Sequence, residues 1–233
     1  MYLLQSRAGM IETRAPTTIP YKYTLYLNLS EADSDGDRQV QAEVRVDPSK
    51  PAGRRARIVT SKGHRKVLTE FLEDIENPKV DMTAKSNRFW CRSIHDDEDV
   101  DLSIYTVISE TDTEAVLKPN PDKLTELLLR SETENLDKSD RRLKKKLLSR
   151  IDGQITVSKR NGGTKNFKAG MTRSGTIKVI AKIKAMDINQ TCAVAPNGHQ
   201  YASEIQFSID GKALGEKFSV SQNIRISDLT PIR

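Results

Sequence analysis

The chain has 233 residues, a formal net charge of +6 and a pI near 9.2, and it is 36% hydrophobic and 30% charged. Those proportions suit a thin sheet with one wet face, and the length is enough to bury a core without metals. No apolar run approaches the roughly 18 residues of a membrane-spanning helix, which excludes a helical transmembrane segment.

The first 20 residues read as a mobile arm ending in Pro16 and Pro20, and residues 21–233 as one β-rich domain. In Tyr21–Leu29 the residues Tyr21, Tyr23, Leu25, Leu27 and Leu29 share one parity, as in a half-buried strand. Asp33-Ser34-Asp35-Gly36-Asp37 predicts a turn, and Val40, Ala42, Val44 and Val46 a second strand completing a hairpin. Arg54–Thr60 is expected as a third, exposed strand. Over His64–Asn77 the period changes: Val67, Phe71 and Ile75 fall four apart with Leu68 and Leu72 beside them, which predicts a helix ended by Asn77-Pro78.

Arg88–Arg92 is read as a short strand, followed by an acidic loop from Asp96 to Asp101, and Leu102–Ile108 with Thr113–Lys118 as a hairpin. A second helical segment is expected from Leu124, Leu127 and Leu128 through Leu136, Leu143, Leu147 and Ile151. Gln154–Lys159 and Lys165–Lys168 flank a turn at Gly162-Gly163. Three strands close the chain. The alternation of Ile177, Val179, Ala181, Ile183 and Ala185 predicts the first, Tyr201 to Ile209 the second, and Leu214 to Ile226 the third, with Asp210-Gly211 as the two-residue turn between the last two.

The charge is local. Lys138–Arg150 holds Lys138, Arg141, Arg142, Lys144, Lys145, Lys146 and Arg150 against Asp140, and without it acids and bases balance. Arg141, Arg142, Lys144, Lys145 and Lys146 are therefore candidate anion-binding residues for nucleic acid or anionic lipid. Aromatics make up only 5% of the chain and no stacking pair lies in a basic strand, which disfavours nucleic acid.

Candidate catalytic and metal motifs fail on spacing. Asp33–Asp37 places its glycine at position four, not the position six of an EF-hand loop, and Val44 stands at position twelve. Three scattered histidines and two cysteines match no zinc pattern. Arg160–Lys165 lacks the phosphate-loop spacing, and no Gly-x-Ser-x-Gly elbow occurs. No catalytic residue, metal or cofactor is expected.

Cys91 and Cys192 are either two buried thiols or one disulfide closing a loop of about 100 residues, and a disulfide would imply an oxidising compartment. Met1-Tyr2-Leu3-Leu4-Gln5 is too short and polar for the core of a signal peptide, so export would need a signal upstream or already removed.

Lys178-Val179-Ile180-Ala181-Lys182-Ile183, then Cys192-Ala193-Val194-Ala195-Pro196-Asn197-Gly198-His199-Gln200-Tyr201, with Phe89-Trp90-Cys91 upstream, resembles uncharacterised secreted β-rich proteins of proteobacteria. At the level of topology, many antiparallel strands with two helical insertions resemble the half-barrel of LolA/LolB-type lipoprotein carriers. That resemblance implies a sheet and lid helices around an acyl chain.

The expected architecture is α+β: a single curved antiparallel sheet, half-barrel-like, with two helical insertions packed on one face and a Cys91–Cys192 staple. The expected function is that of a non-enzymatic cell-envelope protein, periplasmic or secreted, binding an apolar ligand, a lipidated protein or an envelope partner. Its apolar face would comprise Tyr23, Leu25, Leu27, Ile205, Phe207 and Phe218, with Phe71, Leu72, Leu143 and Leu147 from the helices. The alternative is a cytosolic anionic-polymer binder using the basic segment.

Overall fold

A computed structural model describes residues 21–76, 91, 104–120, 122–123, 149–177, 181–196, 198 and 200–232. Among these residues eleven strands form one open, curved antiparallel sheet: β1 (Tyr21–Asp33), β2 (Gly36–Val46), β3 (Ala56–Gly63), β4 (Tyr105–Glu110), β5 (Glu114–Pro119), β6 (Ile151–Ser158), β7 (Thr164–Met171), β8 (Gly175–Ile177), β9 (Ala181–Val194), β10 (Gln200–Ala213) and β11 (Glu216–Pro231). Their order is β3-β2-β1-β11-β10-β9-β7-β6-β5-β4, with β8 paired beside β9. The two ends, β3 and β4, do not join. β11 lies between β1 and β10, so the last strand is the seam between the first hairpin and the rest.

The parity of β1 decides which side is dry. Tyr21, Tyr23, Leu25, Leu27 and Leu29 are buried, as are Val40, Ala42, Val44 and Val46 of β2 and Ile224 and Ile226 of β11. Helix α1 (Arg65–Glu76) lies on this side, with Val67 and Leu68 buried in the same cluster and Phe71, Leu72 and Ile75 packed against it. Its end is tied to the sheet edge: the Glu76 carboxylate accepts the backbone N–H of Arg55 at 3.0 Å and of Ala56 at 2.6 Å. A second cluster of Ala115, Leu117, Ile155, Val157 and Phe167 lies on the same side, across β5, β6 and β7.

Between the two clusters, Gln190 of β9 stands opposite Ile205 and Phe167. It is only 1% exposed, and its Nε2 donates to Cys91 Sγ at 2.9 Å. Cys91 and Cys192 form a disulfide. The staple therefore fixes residue 91 to the middle of the dry face.

Some expectations are corrected, and others fall outside the described residues. α1 is the one helix of its length among the described residues. The second helical segment, including Leu143 and Leu147, lies outside them, while Ile151, read as its last leucine-like position, opens β6 as a strand residue. The arm over residues 1–20 and the strand at Arg88–Arg92, apart from Cys91, also lie outside. The alternation from Ile177 to Ala185 is not one strand: Ile177 of β8 faces Ala181 across an antiparallel pair, Ala181, Ile183 and Ala185 belong to β9, and Val179 lies outside the described residues.

Asp210-Gly211 is not the hairpin turn. The chain continues to Ala213 and turns at Leu214-Gly215, both with positive φ (52° and 90°) as a type I′ turn requires. Gly211 serves packing instead, since a Cβ there would lie 2.4 Å from the ring of Phe218, its cross-strand partner. After β2 the carboxyl of Asp47 accepts from the Ser49 hydroxyl and from Lys22 at 3.0 Å. These partners hold it below the usual carboxylate range against the opposing effect of partial burial.

Candidate functional site

Directly opposite residues in an antiparallel pair share a face, so the registers can be followed across the sheet. On the side away from α1 one row reads Gln154, Lys168, Asn189, Gln206, Asn223, Asn28, Gln41 and Lys62, one residue from each of β6, β7, β9, β10, β11, β1, β2 and β3. Six of these eight side chains are carboxamides. The neighbouring row, Asp152, Gly170, Asp187, Ser208, Ser221, Ser30 and Gln39, is also free of apolar side chains. Both rows come from the wet parity that alternates with the buried one.

The two rows border a trough of about 820 Å³ running from β6 to β11. A second depression of about 380 Å³ continues the same face across β1, β2 and β3, beside Tyr26, Asn28, Gln41 and Lys62. The larger volume falls within the range of about 300–1,000 Å³ typical of ligand sites. Gly170 makes room for the Asp187 side chain: a Cβ there would come within 2.5 Å of Asp187 Oδ1, so any larger residue must push the carboxylate into the trough.

Part of the row is ordered by its own hydrogen bonds. Asn166 Nδ2 donates to Asn189 Oδ1 at 3.0 Å, Asn189 Nδ2 to Gln206 Oε1 at 3.3 Å, and Gln206 Nε2 to Glu204 Oε1 at 2.9 Å. Such a chain polarises each member and fixes which amide atom faces outward. Gln154, Asn223, Asn28 and Gln41 make no side-chain hydrogen bond to another described residue and keep donors and acceptors for a ligand.

The trough is electrically balanced. Lys118 pairs with Asp152 at 2.7 Å, and Lys168 and Asp187 add one charge of each sign. Beyond its far side Arg225 lies over the ring of Tyr26 at 4.7 Å. Among the described residues no cluster of histidine, cysteine or carboxylate side chains could hold a metal.

The residues expected to form an apolar ligand face fall in different places. Tyr23, Leu25 and Leu27 are buried core, with Phe71, Leu72 and Ile205 packed against them. Phe207 belongs to the dry parity beside Ile205, and Phe218 covers Gly211. Leu143 and Leu147 lie outside the described residues, as do Arg141, Arg142, Lys144, Lys145 and Lys146. The opening beside Phe71, bordered by Leu29, Val67 and Val220, is about 150 Å³.

Asn189, Asn223, Asn28 and Gln41 were missed by sequence reasoning because it follows apolar parity and treats the other parity as solvent. The available signal was an uncharged amide, not a lysine or glutamate, at one wet position of strand after strand. Comparison with protein-family models, curated proteins and solved structures finds no match for the chain.

Proposed function

We propose that this chain is a non-enzymatic binding protein of the cell envelope, periplasmic or secreted, which takes its partner on the polar face of the sheet. The observation that carries this reading is the row of carboxamides bordering an 820 Å³ trough on the side opposite the core. It moves the ligand expected on the apolar side to the opposite face. The trough offers amides, hydroxyls and balanced charges, groups that hold a molecule without attacking it. The Cys91–Cys192 disulfide supports an oxidising compartment.

The test immobilises the protein and passes solubilised envelope material over it. Wild type and a variant with Arg141, Arg142, Lys144, Lys145 and Lys146 changed to Gln retain the same component, whereas Gly170→Leu, which fills the trough, does not. Loss in the Gln variant, with retention that collapses as salt rises, would instead establish the anionic-polymer alternative.

A further inference from the structure

Resting on that reading, we infer that the partner is a neutral polysaccharide lying across the strands, seated on the Gln154–Asn223 part of the amide row. Four observations select this chemistry.

A carboxamide donates and accepts at once, which matches a hydroxyl group better than an ammonium or a carboxylate does. Three consecutive strands present Asn189, Gln206 and Asn223 side by side, two of them already ordered by the chain from Asn166 to Glu204, so little freedom is lost on binding.

The trough carries no net charge, with Lys118 and Lys168 offset by Asp152 and Asp187. That removes the driving force for a polyanion. The two rows that border it present amides, hydroxyls and charges, which an acyl chain would have to strip of water without replacing their hydrogen bonds.

The trough is long and open and crosses the strands. Five strands from β6 to β11 span about 19 Å at the usual spacing, roughly one pyranose ring per strand step. A peptide would add along a strand edge, so a trough across the middle of the sheet suits a chain of rings instead.

Ile108, 51% exposed, stands at the β4 side of the trough, where the C–H face of a sugar could rest.

The experiment is affinity electrophoresis in native gels containing hydroxyethylcellulose, glycol chitin, dextran or galactomannan, with heparin as the charged control. Wild type is retarded by at least one neutral polymer, to the same extent at low and high salt. Asn189→Ala/Gln206→Ala/Asn223→Ala reduces that retardation at least about tenfold. Gln206→Met, a near-isosteric change at an exposed position, weakens it without altering the thermal unfolding midpoint, which separates lost contacts from lost folding.

Retardation by heparin alone, or retardation unchanged in the triple variant, would overturn the inference. If no neutral polymer retards the protein and periodate oxidation of retained envelope material leaves its binding intact, the glycan is wrong while the polar face stands. If retention is indifferent to Gly170→Leu, the polar-face reading itself fails.

Discussion

Leu214 occupies a position that ordinarily goes to asparagine or glycine. Its φ of 52° places an 80% exposed leucine in the left-handed region at the first central position of a type I′ turn. For a residue with a Cβ that conformation costs about 1–2 kcal/mol, and asparagine recovers part of it through local hydrogen bonding. Leu214→Asn is therefore expected to stabilise the protein by about 1 kcal/mol, read as a higher urea midpoint at unchanged slope. The same site shows why the turn was not legible. Asp210-Gly211 has the composition of a hairpin turn and Leu214-Gly215 does not, yet Gly211 is needed where the Phe218 ring lies against the backbone. A glycine demanded by packing looks identical, in sequence, to one demanded by φ.

Among the elements, β1, β2 and α1 were the most readable, because each has one clean period and one dry side. The helix expected over His64–Asn77 stands at Arg65–Glu76. The run from Ile177 to Ala185 failed for the opposite reason: period-two alternation carries no sign of direction, and the end of β8 with the start of β9, antiparallel to it, can preserve it. The staple was readable as a possibility only, since two cysteines permit one bridge but do not require it. Its energetic consequence follows from the 101-residue separation. On the chain-entropy model a loop of that size contributes roughly 4–5 kcal/mol. Cys91→Ala/Cys192→Ala should lose about that amount, with a further contribution from Gln190, whose buried Nε2 would lack its sulfur acceptor. Urea unfolding with and without reductant measures it: the wild-type midpoint falls on reduction and that of the double variant does not move.

For the whole molecule the open sheet poses the problem of its two edges. Ile58 and Val59 of β3, and Val107 and Ile108 of β4, are 41–51% exposed. Each edge carries an extra residue where the pairing slips: Val59 between the partners of Val44 and Glu43, and Ile108 between those of Leu117 and Val116. Bulges of this kind twist an edge away from a flat, pairable line. Deleting Val59 should therefore straighten β3 and cause concentration-dependent association in light scattering, while the wild type stays monodisperse over the same range. The bulges were not visible in the sequence, and the amides were visible one strand at a time but not as a row. Both are relations between strands, created only when the registers are set.

The seam between β1 and β10 has a consequence for how the protein comes into being. A nascent chain delivers Leu25 and Leu27 early, but the sixteen-residue β11 that must slot in beside them comes last. Until that strand has emerged, the first hairpin has no neighbour on its inner flank. Joining the two halves of the sheet therefore waits on β11, and a chain held before that moment exposes Leu25 and Leu27 beside an empty edge.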